Sequence, residues 1–305
     1  MISKNNQIKK ITKIFIFASL IACVAQAEPP QKKKDFTHEF MVGLESFKYH
    51  YGEATPEQKN FMQFNGMMYG VNGTYQMTYK DMVFIRPEIR WSYGHTDYTA
   101  GKLGRDYERD QTPSMIIEPR LLVGSPLKAT EQLTIAPYSG IGWRYKRDDD
   151  TDDLNKVNIS GSNRIHRSLY IPIGTSFQYD LNNRWDLRGF IEYDWFIRGR
   201  QSTYSKEQIL PNYRMEYIPA TTVHKQKEGW GAKAQLLVGY RFDKVAVAFG
   251  PYMNFWHIQK SSLVSLTKRY KFSIAWGGGV HNQTNPTNEP NNTTKEIGLK
   301  VNFYF

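Results

Sequence analysis

The last eleven residues of the chain, 295–305, alternate between apolar and polar or small side chains and end on an aromatic residue. A period of two predicts a β-strand with one face in an apolar medium and the other in a polar one. The C-terminus of a globular domain usually frays into water, so it seldom carries an aromatic side chain as the last residue of such a strand. The apolar positions are Ile297, Leu299, Val301, Phe303 and Phe305. The end of the chain therefore predicts a strand whose last residue lies against an apolar medium.

The same alternation recurs along most of the chain and predicts ten strands. The predicted strands cover 36–49, 67–79, 83–93, 115–123, 133–145, 165–179, 185–197, 230–242, 245–255 and 295–305. Short turns at 80–82, 125–131, 181–184 and 243–244 alternate with long loops at 50–60, 95–112, 147–163, 201–228 and 259–294. All short turns and both termini then fall on one side. An eleventh strand at 270–280 would break this arrangement, so we expect that segment to be an arm of a hairpin within the last long loop.

The N-terminus has the features of a secretory signal peptide. Four lysines between Lys4 and Lys13 precede an apolar run at 14–24, and a small-x-small triplet follows at 25–27. The apolar run is too short to cross a bilayer as a helix. We predict a signal peptide at 1–27, a short periplasmic segment at 28–35 and one folded domain at 36–305. The alternative is a lipobox ending at Cys23, which would make a lipidated cysteine the first residue; both interpretations take the chain out of the cytoplasm.

The strand pattern is compatible with a membrane protein of the β type. No eighteen consecutive apolar residues follow residue 27, so a membrane-spanning helix is not predicted. A mean hydropathy of −0.59 is still compatible with a barrel, because half of each strand faces the lumen. The alternative is a soluble β-sandwich with one buried face, which would have to protect its sheet edges.

An even strand number, alternating connections and the terminal Phe305 together resemble the outer-membrane β-barrels of Gram-negative bacteria. The resemblance implies an all-β, ten-stranded, antiparallel up-and-down transmembrane barrel in the cell outer membrane. It also implies short periplasmic turns and long external loops. Phe303 and Phe305 would form the signal that the barrel-assembly machinery reads.

Aromatic residues at the strand ends give a dimension to check. Trp185 and Trp195 are ten residues apart on one face, which corresponds to about 33 Å along a strand. A tilt of about 40° leaves roughly 25 Å along the membrane normal, which is the height of the apolar band between aromatic girdles. The predicted periplasmic girdle contains Tyr79, Trp185, Tyr240, Phe242 and Phe305, and the outer one contains Trp91, Trp143, Trp195 and Trp230.

Charged residues of both signs stand between the apolar ones and would face the lumen. The predicted lumen charge network is Arg86, Glu88, Arg90, Glu118, Arg120, Arg144, Asp186, Arg188, Glu192, Asp194, Arg198 and Arg241, with His166 and Lys233 also facing inwards. A ten-stranded barrel is little wider inside than its side chains require, and buried charges are costly unless paired. We therefore expect cross-linked walls and a plugged lumen, in a structural or surface-interaction barrel that acts through its external loops. The alternative is a narrow, porin-like channel for small solutes.

Two further motifs resemble functional sites but lack residues that such sites require. The acidic run at 148–153 lacks the glycine and the closing glutamate of a calcium loop, so we expect a solvated acidic loop and neither metal nor cofactor. Size and strand count also resemble the omptin outer-membrane proteases, which place an Asp pair and an Asp–His pair across the barrel rim. His95 and Asp97 lie at the corresponding height, but in reversed order and without a matching Asp-x-Asp pair in the first loop. We therefore do not expect an enzyme.

Charge and cysteine content restrict the partners. The signal peptide holds four of the 40 basic residues and none of the 29 acidic ones, so the net charge falls from +11 to +7 on its removal. That excess is spread over strands and loops, which argues against nucleic-acid binding and favours attraction to outer-membrane lipid and lipopolysaccharide headgroups. Cys23 is the only cysteine, so no disulfide or thiol nucleophile is predicted for the mature chain. We expect a monomer.

Overall fold

The computed structural model describes residues 35–55, 62–102, 105–149, 162–205, 208–210, 215–218, 221–272 and 278–305. The strands are β1 (Phe36–Ala54), β2 (Met62–Tyr79), β3 (Val83–Lys102), β4 (Arg105–Gly124), β5 (Leu127–Lys128), β6 (Leu133–Asp149), β7 (Ser162–Asp180), β8 (Trp185–Ser205), β9 (Gln208–Leu210), β10 (Met215–Ile218), β11 (Thr221–Gln226), β12 (Gly229–Arg241), β13 (Ala246–Ile258), β14 (Val264–Phe272), β15 (Gly279–Thr287) and β16 (Asn291–Tyr304). The predicted signal peptide, Cys23 and residues 28–34 lie outside the described residues. Within the described ranges, no helix is long and apolar enough to cross a membrane.

Ten strands form a closed antiparallel barrel. Their order around the wall is β1, β2, β3, β4, β6, β7, β8, β12, β13 and β16, and β16 pairs with β1 to close the ring. β11 comes directly before β12 in the chain, and both strands pair with β8. The backbone of Phe305 closes the last pair, since its N–H donates to the carbonyl of Phe40 at 2.9 Å. The predicted ten-stranded up-and-down barrel is confirmed.

The register sets the stagger of the barrel. Following paired residues from Glu45 through β2, β3 and β4 leads to Lys146 on β6. Following them from Glu45 the other way round leads to Thr134 on the same strand. These two residues are twelve positions apart, and a stagger of twelve across ten strands corresponds to a strand tilt of about 40°.

The outer face carries a continuous apolar belt. Leu44, Ile89, Ile191 and Leu299 are 53, 51, 63 and 51 % exposed, and they come from four different strands. An exposed apolar surface of this extent indicates contact with a membrane or a partner. Every tryptophan and tyrosine assigned to the girdles lies on this outward face. Tyr240 is only partly exposed there, because its ring packs against that of Trp185, at 4.9 Å between ring centroids.

Strands continue well past their predicted ends on the side of the long loops. The connection predicted as a loop at 95–112 is almost entirely strand, because β3 runs to Lys102 and β4 starts at Arg105. In β3 the outward residues His95 and Asp97 are polar and so is the inward Thr96, so the backbone pairing continues here without an apolar alternation to reveal it. The barrel therefore extends beyond its apolar belt.

A separate four-stranded sheet is built from two of the long connections. Its order is β15, β14, β10 and β9. β14 and β15 form an antiparallel hairpin in which Tyr270 pairs with His281. The described parts of the segment, residues 270–272 and 279–280, therefore belong to a loop hairpin, as predicted, and do not add a strand to the barrel.

One irregularity reverses the alternation in β8. Leu169 on β7 pairs with Arg198, but the next residue, Tyr170, pairs with Phe196, so Ile197 is an extra residue in β8. A β-bulge of this kind exchanges the inward and outward positions beyond it. Phe196 is buried, whereas Arg198 is exposed on the outer face. The prediction that Arg198 belongs to the lumen network is therefore wrong.

Candidate functional site

Charged side chains from opposite walls meet in the middle of the lumen and form one connected set of ion pairs. We call this set the central network, and its members are Glu45, Arg86, Glu88, Arg90, Glu118, Arg120, Arg144, Glu192, Asp194, Lys233, Glu296 and Lys300. All of them occupy inward positions of the strand alternation. Six are basic and six are acidic, so the formal charge of the network is zero.

Two ion pairs of the central network run across the lumen rather than along one wall. Arg144 on β6 donates to Glu296 on β16 at 2.6 Å, and five strand positions separate these strands in either direction around the ring. Lys233 on β12 lies 2.9 Å from Glu118 on β4, four strand positions away. All four side chains are at least nine-tenths buried. The opposite walls of the barrel are therefore joined directly at its centre.

Neutral donors complete the coordination of the buried carboxylates. The Tyr170 hydroxyl donates to Glu118 at 2.6 Å, and the Tyr138 hydroxyl donates to Glu192 at 2.9 Å. The Asn254 amide donates to Glu296 at 2.9 Å. Buried carboxylates need such partners because each keeps several lone pairs that salt bridges alone do not satisfy. The central network is therefore a hydrogen-bonded unit and not a set of isolated pairs.

Glycines on the neighbouring strands make room for the two tyrosines that reach the network. A methyl group on Gly142 would overlap the ring of Tyr170, and one on Gly174 would lie 2.7 Å from the ring and hydroxyl of Tyr138. The tip of each tyrosine ring lies over a residue that has no side chain, and its hydroxyl reaches a carboxylate of the central network. The backbone approach at these positions requires glycine.

A second layer lies nearer the long-loop end and is rich in aromatic residues. Tyr51 and Phe64 belong to a buried cluster in this layer. The Nζ of Lys146 lies 3.4 Å from the centroid of the Tyr51 ring and 2.8 Å from Asp148. Arg164 on β7 reaches across the lumen to Glu53 on β1 at 2.8 Å. This layer therefore adds further buried ion pairs between the central network and the long loops.

Asp148 corrects one expectation from the sequence. The acidic run at 148–153 was predicted to be a solvated loop, but Asp148 is the last inward residue of β6 and is fully buried. It accepts a hydrogen bond from Ser114 at 2.8 Å in addition to its pair with Lys146. Residues 150–153 lie outside the described residues. In the described part of the chain, no three histidine, cysteine or acidic side chains are arranged to hold a metal ion.

Below the central network, a cavity of about 260 Å³ opens towards the short turns. Arg86, Arg188 and Tyr304 are among its lining residues. Arg188 pairs with Asp186 at 2.9 Å and lies 4.0 Å from the centroid of the Tyr304 ring. Polar side chains of this kind favour filling by water. The cavity reaches the central network, because Arg120, Lys233 and Lys300 also line it.

The structure brings together eleven of the twelve side chains predicted for the lumen network, all except Arg198. Arg188, Asp186 and Arg241 form pairs at the short-turn mouth, and the other eight belong to the central network. Sequence reasoning missed Glu45, Glu296 and Lys300, which complete the charge balance. All three occupy polar positions of the first and last strands, so extending the same alternation to those strands would have found them.

Comparison with solved structures identifies the architecture. The crystal structure of the outer membrane protease OmpT from Escherichia coli matches with a TM-score of 0.56 and 10% identity, over 92% of this chain and 100% of that one. This chain has the fold of the bacterial outer-membrane β-barrels. A major outer membrane protein from Thermus thermophilus matches with a TM-score of 0.40 and 13% identity, over 67% of this chain and 99% of that one. No protein-family model matches the chain, and no curated protein matches its sequence.

The omptin-like pair of this barrel does not line the lumen. His95 and Asp97 are exposed on the outer face of β3. Thr96 between them is fully buried, and its hydroxyl lies 3.0 Å from that of Ser114. Since successive strand residues point to opposite faces, the same alternation that turns Thr96 inwards turns His95 and Asp97 away from the rim interior.

Proposed function

We propose that this chain is an integral protein of a Gram-negative outer membrane, that its lumen is closed, and that it acts through the β-structure at its long-loop end. The shared barrel fold and the apolar outer belt support the location. The observation that carries closure is the neutral central network, whose pairs join opposite walls. We expect a monomer without enzymatic activity.

Closure follows from the energetics of the central network. A solute that crosses the barrel would have to separate pairs such as Arg144–Glu296 and Lys233–Glu118. Breaking a buried ion pair by removing one partner costs about 3–5 kcal/mol, and several pairs would have to open together. An open channel would instead need charges that face water and remain free to contact the permeating ion.

Conductance of the refolded protein in a planar bilayer tests closure. We expect the wild-type barrel to give no stable conducting steps. The triple variant Arg90→Ala, Arg120→Ala and Arg144→Ala removes three cross-links and leaves three excess carboxylates, so it should conduct and prefer cations. A matched control replaces the outward arginines Arg167, Arg198 and Arg200 by alanine and should remain closed. Large, anion-selective conductance in the wild-type protein would contradict a closed lumen.

Proteolysis of intact cells tests the orientation. We expect cleavage near Asp150, Gln208 and Asn288, in the long connections, because those would face the medium. The short turns at Asp81, Asn183 and Lys244 should be cut only after the outer membrane is permeabilised. Cleavage at the short turns of intact cells would reverse the assignment of the two ends.

A narrow channel for small solutes is the second candidate, and one observation favours it. The cavity of about 260 Å³ already brings polar volume up to the central network from the short-turn side, so only the network and the aromatic layer above it separate the two sides. If this candidate is correct, the wild-type protein should conduct small ions at low amplitude, and Arg90→Ala alone should increase the amplitude.

The proposed interaction surface includes the four-stranded sheet outside the barrel. β15 is exposed along all but its last residue and presents polar side chains such as Asn282 and Thr284. A hydrated, polar strand at the free side of a small sheet can contact a partner without inserting into the membrane. Replacing residues 264–287 by a short Gly-Ser linker should leave the barrel able to insert, since these residues pair in a separate sheet.

A further inference from the structure

Three basic side chains stand side by side on the outer wall, above the aromatic girdle. Arg167 on β7 pairs in register with Arg200 on β8, and Arg200 pairs in register with Lys225 on β11. Their neighbours His166, Gln201 and His224 are buried towards the lumen, so the three basic residues share the outer face. We call Arg167, Arg200 and Lys225 the basic row.

The basic row is electrostatically unfavourable in the isolated protein. Directly opposed residues on neighbouring strands have their Cβ atoms about 4.5–5.5 Å apart, and like charges in these positions destabilise a sheet. Among the described residues, no carboxylate lies within ion-pair distance of any of the three. The lumen shows the opposite behaviour, because each arginine of the central network has an acidic partner there. An external anion would relieve the repulsion within the basic row.

The basic row lies at the outer edge of the lipid headgroups. Trp195 and Trp230 pair in register and mark the outer girdle on these strands, and Arg198 and Arg200 follow Trp195 by three and five residues. At about 3.3 Å per residue and a tilt of about 40°, Arg198 lies roughly 8 Å above Trp195 along the membrane normal. Arg200, which belongs to the basic row, lies roughly 13 Å above it. The headgroup layer extends about 5–8 Å beyond the hydrocarbon core, and long basic side chains can bend towards it.

The side chains around the basic row fit a lipid better than a soluble anion. Tyr145 continues the row on β6, and the Arg167 guanidinium lies 5.6 Å from the centroid of its ring. Leu169 and Ile197, directly below, continue into the apolar belt. A ligand at this position would therefore contact cations with its headgroup and apolar side chains with its acyl chains.

We propose that the basic row binds the phosphorylated headgroup of lipopolysaccharide in the outer leaflet. Guanidinium groups bind phosphate oxygens in bidentate geometry. Three adjacent strands place the outer two cations of the row about 10 Å apart, so the row can contact a headgroup that carries more than one phosphate. This assignment rests on the proposed outer-membrane location but is independent of whether the lumen conducts.

Binding of lipid A, the membrane anchor of lipopolysaccharide, to the refolded full-length barrel in non-ionic detergent tests the site. The variant Arg167→Gln, Arg200→Gln and Lys225→Gln should bind diphosphoryl lipid A about a hundredfold more weakly than the wild type, because each basic residue near an anionic surface contributes roughly fivefold. A matched control, Lys128→Gln, Arg184→Gln and Lys244→Gln, removes three charges at the opposite end and should bind within threefold of the wild type. Heat-modifiable mobility on gels verifies that every variant is folded.

Several outcomes would overturn the proposal. Equal loss of lipid A binding in the row variant and the control would indicate attraction by net charge alone. Equal wild-type affinity for lipid A and phosphatidylethanolamine would show that the site does not recognise phosphorylated sugars. Inorganic phosphate that displaces lipid A at equal concentration would identify a site for a free anion. A barrel that folds but fails to insert into outer membrane would contradict the proposed location and leave these affinities unchanged.

Discussion

Replacing Lys233 by methionine tests whether charge balance holds the lumen together. Lys233 is nearly fully buried and contacts three carboxylates, those of Glu118 at 2.9 Å, Asp194 at 3.1 Å and Glu192 at 3.2 Å. Methionine has a similar length and no charge, so the substitution removes the cation with little change in volume. The central network would then carry one excess negative charge.

The three carboxylates differ in the basic partners that remain when Lys233 is replaced. Glu118 keeps Arg144 at 3.3 Å, and Glu192 keeps Arg120 at 2.6 Å. Asp194 is fully buried, and Lys233 is the one cation within ion-pair distance of it in the part of the chain that the structure describes. An uncompensated buried charge costs about 3–5 kcal/mol. We therefore expect Lys233→Met to lower the free energy of unfolding by about that amount.

Removing the carboxylate of Asp194 should destabilise the barrel only slightly, and combining that change with Lys233→Met should restore part of the lost stability. In Asp194→Asn, Lys233 keeps two carboxylates, so the expected loss is about 1 kcal/mol. The double variant Lys233→Met, Asp194→Asn leaves no unpaired charge and should recover about 2–3 kcal/mol of the loss in Lys233→Met. Urea unfolding of the barrel in phospholipid vesicles, followed by tryptophan fluorescence, measures all four proteins. A double variant as unstable as Lys233→Met, or a loss below about 1 kcal/mol in Lys233→Met itself, would refute the reasoning.

Three further predictions concern other parts of the barrel. Phe305→Asp should slow assembly, measured as heat-modifiable barrel in outer membranes, because it places a charge where the closing strand meets the apolar belt. Gly142→Ala should cost about 2–4 kcal/mol by displacing Tyr170, whereas Gly73→Ala, whose methyl group would meet its nearest neighbour at 3.7 Å, should be nearly neutral in urea unfolding. Burial, reinforced by the charge of Glu53, raises the pKa of Glu289 above its usual value. Protonated Glu289 stabilises the docked form of the last long loop. This stabilisation is therefore fully present below the pKa of Glu289 in the unfolded state, and it is lost as the pH rises through the raised pKa of the folded state. Hydrogen exchange of the loop amides should accelerate over that range in the wild type and not in Glu289→Gln.

The alternation of side chains predicts the barrel because one physical cause acts along each strand. In β3, Ile85 and Ile89 face outwards while Arg86 and Arg90 face inwards, and the sequence shows this directly. The outward residue must be compatible with an apolar medium, and the inward one with a polar interior, so a local pattern reports a local environment. Strand number, the placement of short turns and the facing of most charges all follow from it.

The alternation stops being informative where both faces have the same environment. Phe47, Tyr49 and Tyr51 are fully buried inside the barrel, although their aromatic character favours the outer face, and so β1 gave a weak signal. Arg198 was assigned to the wrong face because Ile197 is inserted at a bulge. No residue at 196–199 forces a bulge by itself. The bulge is visible only in the pairing with β7, which the sequence of a single strand cannot report.

The partners within the lumen depend on the stagger of the whole barrel, and this is why they could not be predicted pair by pair. Arg144 and Glu296 are 152 residues apart and come within 2.6 Å because the wall closes with a shift of twelve residues. A different shift would bring Arg144 to another level of the opposite wall. The total charge of the inward residues, however, does not depend on the shift. A narrow lumen of low dielectric must balance that total to exclude water, whereas a conducting one must keep an excess of one sign facing the permeating ion. The six acidic and six basic residues of the central network meet the first requirement, in agreement with the closed lumen that we propose.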